Sequence, residues 1–533
     1  MWTQNYFPVA GSLPLSALTA ALPIFVLLLL LGVLRKPAWM AAFAGFAAAI
    51  AVAAFVYHMP WSMLASSIAY GAAQGLLPIG WIVFTAILLY KLTVETGKFE
   101  IIKDSIGGIT GDQRLQALLI AFAFGAFIEG AAGFGTPVAV AAAMLTGLGF
   151  RPFYAAGICL LANTAPVAFG SIGTPLVMLK TVTGLPLATL SANVGRICAP
   201  VSLFVPAYLV LVMAGAGGLR AVAPAAGVCG VAFAVTQFAV SNYLGPELTD
   251  VLASLAAILS LIVLMRVWCP KGAPPVVKHP HTVGEVTMAW VPYGLLVICV
   301  LLWGLPPVKA WLDHATVKFA WPGLHERIMR DYPVVEAAAK YKAEYTLNLL
   351  SAAGTACLTA VFAAALVLRV SPARLARVTW TTTRQLALPL VTIATVLGLA
   401  FLMNYSGATG TLGLAFAATG RSFPFFSSML GWLGVFLTGS DTSANALFGS
   451  LQVVAAHKLT LNPALMAAAN SSGGVMGKMI SLQSIAVAAA ATGMPAADEA
   501  RLFRFTLKHS VFLAAVIGVV TLFYAYAMPG WAK

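Results

Sequence analysis

The sequence predicts an all-α polytopic membrane protein with about 12–14 transmembrane helices and two inverted repeats that contain interrupted or re-entrant helices. Three observations lead to this prediction. The 533 residues are 61% hydrophobic and only 9% charged, the apolar residues fall into long blocks, and a segment of the first half recurs in the second. Soluble globular chains carry about a quarter charged residues. The composition, with a mean hydropathy of +0.93, therefore excludes an ordinary soluble enzyme.

The apolar blocks have the length of membrane spans. Residues 13–34 carry no charge and form about 33 Å of helix at ~1.5 Å per residue, enough to cross a bilayer core. We interpret this block as a true span, because it is too long for a signal peptide, no Lys or Arg precedes it, and no small-residue cleavage site follows closely. Backbone polar groups in lipid must be satisfied internally, so the spans are expected to be helices. Further blocks occupy 38–57, 221–243, 251–265, 289–307, 347–368 and 510–528.

The charge distribution predicts the orientation in the membrane. The chain has 30 basic and 16 acidic residues, a net charge of +14, and the basic residues lie in short loops between apolar blocks. This is the positive-inside pattern of a protein in a cytoplasmic membrane rather than a nucleic-acid-binding surface. It places both termini and the mixed-charge segment 309–345 outside. The cytoplasmic loops are marked by Arg35 and Lys36, by 91–114, by Lys271 and Lys278, by 369–384 and by 501–508.

The six cysteines are scattered through apolar segments, and none forms a CxxC pair. Neither a disulfide framework nor a metal site is indicated. We expect no cofactor. The expected partners are the transported species and the lipid bilayer, and no nucleic acid.

An internal repeat with an offset near 310 residues is visible in three stretches. LLPIGWIVFTAILLYKLTVETG (76–97) aligns with LALPLVTIATVLGLAFLMNYSG (386–407), GAFIEGAAGFGTP (125–137) with GVFLTGSDTSANA (434–446), and LANTAPVAFGSIGTP (161–175) with AANSSGGVMGKMISL (468–482). The first copy is approached from the basic 91–114 loop and the second from the 404–424 loop, which contains only Arg421. The copies are therefore predicted to be inverted, an architecture typical of secondary transporters with the site at the repeat interface.

These features predict seven segments. They are N-terminal transmembrane helices (1–75), the first inverted repeat (76–184), connecting transmembrane helices (185–308), an extracytoplasmic loop (309–345), a transmembrane helix with a basic cytoplasmic loop (346–385), the second inverted repeat (386–493) and a C-terminal transmembrane helix (494–533).

Polar clusters inside apolar segments mark the predicted helix breaks. GAAGFGTP (130–137) and GSDTSAN (439–445) occupy matching places in the two copies, as do ANTAP (162–166) and ANSSGG (469–474). Half-helix N-termini present free N–H groups and the positive end of the helix dipole, which suit a carboxylate. A single cluster would fit a small-residue packing face, but four in two-fold register indicate a binding region.

The charged residues within the repeats' apolar segments are few: Glu129, Asp441 and Lys478, flanked by Lys180 and Arg196. A charge at the bilayer centre costs about 2.5–3.5 kcal/mol on insertion scales, so each is a functional candidate. Glu129 aligns with Thr438 and Asp441 with Ala132, so the two acids are not copies of one another. Lys478 is the best candidate cation for a carboxylate. A snorkelling interfacial lysine is the alternative, and Arg196 suits an interface equally well.

At these motifs the sequence resembles the L-lactate permease family, which includes glycolate permeases. The resemblance runs from the QNY near the start to the last span. It departs from the common pattern at Thr136, where a small Ala is often found, and at Leu482, where Pro is common. It implies proton symport of lactate, often with glycolate, across the bacterial cytoplasmic membrane, and an elevator-like movement of hairpin-bearing domains. It rests on LPIGWIVFTAILLYK, GDQRLQ, GAFIEGAAGFGTPVAV, ANTAPVAFG, GWLGVFLTGSDTSANALF, SSGGVMGKMIS and LFRFTLKHS.

Together these observations give the hypothesis of a lactate–proton symporter of the inner membrane. Lys478 and the half-helix N-termini are expected to bind the carboxylate, and nearby polar side chains the 2-hydroxyl group. Glu129 is expected to take the coupled proton, with Asp441 either ionised beside Lys478 or a second proton site. The polar substrate-binding candidates are Thr136, Asn163, Thr164, Ser440, Thr442, Ser443, Asn445, Asn470 and Ser471.

Three alternatives stay open at this stage. The paired Asn-Thr and Asn-Ser turns offer oxygen ligands for sodium, which would make this a sodium-coupled transporter of small carboxylates. An intramembrane hydrolase using Ser471 or Ser472 needs a His in an apolar segment, and none is placed there. A passive channel would not accumulate its substrate against a gradient.

Overall fold

The computed structural model describes residues 1–34, 36–133, 135–270, 281–335, 337–495 and 498–532. Arg35, Lys271 and Lys278, which the sequence places in cytoplasmic loops, and Phe134 of the first polar cluster lie outside the described residues.

The described residues are mostly helical, as the apolar blocks predict. The helices of the first half are α1 (Leu13–Leu28), α2 (Ala38–Ala51), α3 (Trp61–Gln74), α4 (Trp81–Glu95), α5 (Lys98–Gly107), α6 (Gln113–Gln116), α7 (Gly125–Ala131), α8 (Thr136–Gly147), α9 (Pro152–Ala162), α10 (Gly170–Thr183), α11 (Leu187–Tyr243) and α12 (Thr249–Val267). Those of the second half are α13 (Val283–Gly304), α14 (Pro306–Asp313), α15 (Ala353–Val367), α16 (Pro372–Ser406), α17 (Ala408–Ala417), α18 (Phe423–Thr438), α19 (Asp441–Lys458), α20 (Pro463–Gly477), α21 (Leu482–Thr492) and α22 (Glu499–Tyr526).

Short segments of other helix types extend or join these helices. The π-helical segments are Leu29–Val33, Val52–Val56, Gly75–Gly80 and Ala117–Phe124, and the 3-10 turns are Val167–Phe169, Gly420–Ser422, Lys478–Ile480 and Pro529–Trp531. The strands are β1 (Trp2–Thr3), β2 (Val317–Ala320), β3 (Ile328–Arg330), β4 (Ala339–Lys340) and β5 (Glu344–Leu347).

The number of membrane-crossing helices agrees with the prediction. Among the described residues, nine helices are long and apolar enough to span a bilayer, and eleven if each of two bent helix pairs forms one span. Helix α11 has 57 residues and leaves helical geometry at Gly215 and Val222, which makes it long enough for two spans. Dividing this helix into two raises the number of spans to 12, which is the lower end of the predicted range.

One face of the molecule, which we call the loop face, is formed by the small strands and the chain start. β1 pairs in parallel with β3, β3 pairs with β4, and β2 pairs antiparallel with β5. The Tyr345 hydroxyl donates to the Leu77 carbonyl (3.1 Å), just before α4, and the Tyr405 hydroxyl, at the end of α16, donates to the Lys342 carbonyl (2.9 Å). The chain start and the 309–345 segment thus meet on one side, as the charge pattern predicts.

The opposite face, which we call the basic face, collects the loops rich in Lys and Arg. Glu95, at the end of α4, pairs with Arg377 at 2.7 Å and Arg374 at 3.5 Å, both in the first turns of α16. The His281 ring nitrogen lies 3.0 Å from an Asp104 carboxylate oxygen. The α4 helix therefore runs from the loop face to the basic face, whereas α16 runs the other way.

The antiparallel course of α4 and α16 makes the two copies inverted. The α4 and α16 helices hold the aligned stretches 76–97 and 386–407, and each ends at a left-handed glycine, Gly97 (φ +70°) or Gly407 (φ +94°). A ten-residue helix follows in each copy, α5 and α17. The helix breaks also occur in the same order in both copies. Helix α7 ends shortly before α8 begins, as α18 ends shortly before α19 begins. A bent pair of helices then follows in each copy, with bends of 63° and 42°.

The two copies pack on each other reciprocally. The α10 helix of the first copy contacts α19 of the second, and the matching α21 of the second contacts α8 of the first. The turn Val167–Phe169 contacts α20, and its counterpart Lys478–Ile480 contacts α9. Such exchanged contacts are those of a pseudo-two-fold axis, and the helix breaks of both copies lie around it.

Helix α18 and helix α19 form a re-entrant hairpin. A Cβ atom on Gly434 would lie 2.9 Å from the Ala444 Cβ and 2.8 Å from the Phe448 ring, so the two helices lie side by side about a turn at 439–440. Lys458, at the end of α19, lies over the Tyr332 ring (5.6 Å) at the loop face. The hairpin thus enters from the loop face and returns to it.

The inverted arrangement predicts opposite labelling of the loops after α4 and α17. In a variant without the six native cysteines, Lys98→Cys should react with an impermeant thiol reagent only from the cytoplasmic side, and Ser422→Cys only from the other side. Labelling of whole cells and of inside-out vesicles measures this. Reaction of both cysteines from one side would contradict the inverted arrangement.

Candidate functional site

The helix breaks of both repeats surround one cavity of about 360 Å³, which we call the central cavity. At ~30 Å³ per water molecule it has room for a small organic acid with several waters. Its walls come from the end of α7, the start of α10, the α18–α19 turn, the 3-10 turn Lys478–Ile480, the start of α21 and the middle of α16.

Lys478 supplies the ammonium group at this cavity. Its side chain is 8% exposed, and its Nζ donates a hydrogen bond to the Gly439 carbonyl at 2.6 Å. Gly439 ends α18 in a left-handed conformation (φ +71°), so the ammonium lies at the negative end of that helix. No carboxylate of the described residues lies within the 4.0 Å salt-bridge distance of Nζ. An ammonium has three donors, so further donors are free for an incoming anion.

Two carboxyl groups face the same cavity. Glu129 is 4% and Asp441 3% exposed, and both interact electrostatically with Lys478. Asp441 Oδ2 accepts from the Ser471 hydroxyl at 2.6 Å, whereas Asp441 Oδ1 and Glu129 Oε2 have no hydrogen-bond partner within the described chain. Buried polar groups are nearly always paired, so such orphan oxygens need an explanation such as a proton, a water or a ligand.

Each carboxyl group fits because a glycine lies against it. A Cβ atom on Gly170 would lie 2.7 Å from Glu129 Oε1, and one on Gly474 would lie 2.3 Å from Asp441 Oδ1. Gly170 and Gly474 lie in the second break of their copies. Because they have no side chain, they leave the space that the acids of the first break, Glu129 and Asp441, occupy.

The α18–α19 turn brings three predicted polar residues to the cavity. Ser440, Thr442 and Ser443 all line it, and Ser440 Oγ caps α19 by accepting from the Ser443 backbone N–H at 3.3 Å. Helix α19 has 18 residues, and its N-terminus points to the cavity with the positive end of its dipole. Hydroxyl groups and backbone N–H groups therefore lie beside the ammonium.

Three other predicted residues form a layer behind the cavity rather than lining it. The Asn470 amide donates to Asn445 Oδ1 at 2.9 Å, and the Asn445 amide donates to the Ser471 hydroxyl at 3.1 Å and to the Pro175 carbonyl at 3.1 Å. All three side chains are fully buried. Because Ser471 in turn donates to Asp441, this layer positions the acid and ties α19 to α10 of the other copy.

The remaining predicted residues also stand outside the central cavity. The Thr164 hydroxyl donates to the Leu161 carbonyl of its own helix end (2.7 Å). Thr136 starts α8, which packs against α7, and we call the junction of these two helices the first hairpin tip. The Asn163 amide is close to the Glu129 carboxyl, but neither of its polar atoms reaches hydrogen-bonding geometry. Arg196 lies at the loop end of the molecule, with its Nε donating to Asn242 Oδ1 (2.9 Å) and its guanidinium over the Trp531 ring.

The start of α10 has a conformation that the sequence analysis did not anticipate. Ser171 (φ +46°), Ile172 (φ +57°) and Gly173 (φ +71°) form a left-handed turn, which costs roughly 1–2 kcal/mol for each non-glycine residue. The Ser171 hydroxyl donates to the Ala132 carbonyl (2.7 Å) and so fastens this turn to the first hairpin tip. Ser171 aligns with Lys478, and Thr438 with Glu129, and all four line the central cavity.

A larger space of about 880 Å³, which we call the vestibule, adjoins the central cavity. The two share Thr438, Gly439 and Gln483 in their walls. The vestibule is also lined by Lys36 and Arg504, which belong to basic loops. The central cavity therefore communicates with the basic face.

Comparison with known proteins agrees with this architecture. The model of the family described as "L-lactate permease" matches residues 16–528. The chain is 46% identical over 552 residues to the L-lactate permease of Bacillus subtilis, covering 98% of both chains. It is 45% identical over 555 residues to the glycolate permease GlcA of Escherichia coli, and 44% over 546 residues to the L-lactate permease of the same organism, covering 99% of both chains in each case.

Among solved structures the similarity is weaker. MtrF of Neisseria gonorrhoeae gives a TM-score of 0.48 at 11% identity over 88% of this chain and 85% of that one, and the YdaH transporter of Alcanivorax borkumensis gives 0.47 at 15% identity over 88% of both. By sequence similarity over nearly its whole length, the chain belongs to the L-lactate permease family and is a multi-pass membrane permease.

Proposed function

We propose that this protein takes up L-lactate, and also related 2-hydroxy monocarboxylates such as D-lactate or glycolate, by proton symport across the cytoplasmic membrane. The observation that carries the proposal is the buried ammonium of Lys478, the one buried lysine of the described residues, beside two buried carboxyl groups in a cavity at the repeat interface. The names of the relatives, L-lactate permease and glycolate permease, support a substrate with one carboxylate and one hydroxyl group.

The substrate carboxylate binds between Lys478 and the start of α19 in this proposal. The ammonium has unused donors, and the helix N-terminus adds a positive dipole end. The 2-hydroxyl group of the substrate lies within the reach of Ser440, Thr442 and Ser443, which can donate or accept. Charge and hydrogen bonding together favour a small hydroxy acid over an uncharged solute.

Proton coupling follows from the charge balance of the buried site. Lactate brings one negative charge, and an uncompensated buried ion costs several kcal/mol. Lys478 already interacts with Glu129 and Asp441, so the incoming charge is offset only if a carboxyl group gains a proton. Glu129 suits this role, because Oε2 has no hydrogen-bond partner and the side chain faces the cavity.

The vestibule indicates the state of the carrier. The basic face is cytoplasmic by the positive-inside rule. Because the vestibule joins the central cavity to this face, this conformation is open towards the cytoplasm. Uptake then requires a second conformation in which the central cavity opens to the loop face, as alternating access demands.

Sodium coupling remains the alternative to proton coupling. Within the described residues Asn163 Oδ1 has no hydrogen-bond partner, and the Asn163 side chain interacts with Glu129. A carboxylate with an amide oxygen is a fitting start for a hard-cation site. The other asparagines proposed for this role, Asn445 and Asn470, are engaged with each other.

Removal of the Lys478 charge should strongly weaken substrate binding. Hydrogen bonds to charged groups contribute ~1.5–3 kcal/mol, so Lys478→Gln and Lys478→Ala should weaken lactate binding by about 10- to 100-fold or more. Binding of labelled lactate to the purified protein in detergent measures this. Lys458→Gln, which removes an exposed lysine at the loop face, serves as the matched control. Unchanged affinity in the Lys478→Gln variant would leave this lysine without a role in recognition.

Uptake into proteoliposomes tests the coupling ion. With an acidic exterior, the wild-type protein should accumulate labelled lactate, and the accumulation should be the same with and without sodium. Dependence on a sodium gradient at fixed pH would replace the proton proposal by the sodium alternative.

Glu129→Gln should separate exchange from accumulation in the same liposomes. The amide imitates the protonated carboxyl group permanently, so exchange of external for internal lactate should persist, since that cycle needs no proton release. Net accumulation driven by a pH gradient should disappear. Normal accumulation in this variant would move the coupling role to Asp441.

A further inference from the structure

Asp250 is a third buried acid, which the sequence analysis did not single out because it directly precedes the apolar block 251–265. It is the second residue of α12, and its side chain is 1% exposed. Neither carboxylate oxygen has a hydrogen-bond partner within the described chain. A fully buried acid with two orphan oxygens is costly unless a proton neutralises it.

Asp250 is packed against the helix turn that carries Glu129. A Cβ atom on Gly130 would lie 2.8 Å from the Asp250 Cβ and 3.0 Å from the Val251 backbone nitrogen. The two carboxyl groups interact electrostatically, and like charges disfavour a second ionisation. Glu129 faces the central cavity, whereas Asp250 does not line it.

The segment before Asp250 leads towards the loop face. A Cβ atom on Gly173, in the left-handed turn of α10, would lie 2.9 Å from the Pro246 side chain. One residue further on, the Glu247 carboxylate interacts with Lys180 and Lys309, and Lys309 lies in α14, just before the strands of the loop face. Asp250 therefore lies between the loop face and Glu129, opposite to the vestibule.

Within the described part of the chain, no cation interacts with Asp250 to hold it ionised. Helix α7 contributes Glu129, and α11 contributes Cys198, which interacts with both Asp250 and Asp441. Lys180 of α10 interacts with Glu247, and the segment Ala117–Phe124, which also packs on α12, has no titratable residue. Among the described residues, the charged group that interacts electrostatically with Asp250 is thus another acid, Glu129.

We propose that Asp250 and Glu129 form a two-carboxyl proton site in which Asp250 exchanges protons with the loop face and Glu129 with the central cavity. This inference rests on proton symport as the proposed function. Two adjacent buried carboxyls share one proton more readily than both ionise. On substrate entry a hydronium ion at the loop face gives its proton to the pair and leaves as water. The added proton offsets the charge of lactate, and no bond other than O–H is made or broken.

The Asp250→Asn variant in proteoliposomes tests this. It should keep lactate exchange, lose accumulation driven by a pH gradient, and lose the increase of uptake with external acidity that the wild-type protein shows. Asp250→Glu, which keeps a carboxyl group, should retain accumulation. Glu247→Gln, in which an acid one turn away is neutralised, should behave like the wild type and is the control.

Each other result contradicts a specific part of the proposal. If the wild-type protein does not accumulate lactate with a pH gradient, proton symport itself fails. If the wild type accumulates and Asp250→Asn does so equally, only the role of Asp250 fails. Loss of exchange in both Asp250→Asn and Asp250→Glu would make Asp250 a structural residue. If Asp250→Asn loses only a sodium-driven component of lactate uptake, the acid pair is a sodium site.

Discussion

The arrangement of this protein depends on placing one ammonium and three carboxyl groups in a membrane interior where unpaired charge is expensive. Insertion of a charged side chain at the bilayer centre costs about 2.5–3.5 kcal/mol. For Lys478, the hydrogen bond to the Gly439 carbonyl and the attraction of Glu129 and Asp441 offset part of this cost. The acids retain orphan oxygens, so the site is only partly compensated when empty. In the proposed symport mechanism, a substrate anion and a proton together restore the balance, which would make their movements interdependent.

Inverted repeats supply the polar environment that this charge arrangement needs. Each copy interrupts its helices twice, and the reciprocal contacts of α10 with α19 and of α21 with α8 bring all four breaks together. The aligned pairs Glu129 with Thr438 and Ser171 with Lys478 then meet in one cavity. The backbone is symmetric but the charges are not, so the repeats form one candidate anion site rather than two. In the proposed mechanism, a movement of one copy against the other changes the access to this site.

The sequence predicted the fold more completely than the details of the site. Glu129, Asp441 and Lys478 were recognisable because each stands alone in an apolar segment at a repeated break, and the structure brings them to one cavity. Asn445, Asn470 and Ser471 were grouped with them on composition, but their side chains bond one another and Asp441. Asp250 was missed because it flanks an apolar block in the sequence, and its burial and its contact with Gly130 are visible only in the structure. The left-handed turn at Ser171 and Ile172 has no sequence signal beyond the glycines beside it.

In the proposed mechanism, one proton inside the site offsets the charge of the substrate. The most direct test of this mechanism is lactate accumulation in proteoliposomes at a fixed pH gradient while the membrane potential is set with potassium and an ionophore. One proton per lactate carries no net charge, so the account predicts the same accumulation ratio at every potential and a ratio that follows the proton gradient alone. An accumulation ratio that changes with the potential would show that net charge crosses with the substrate and would contradict the account.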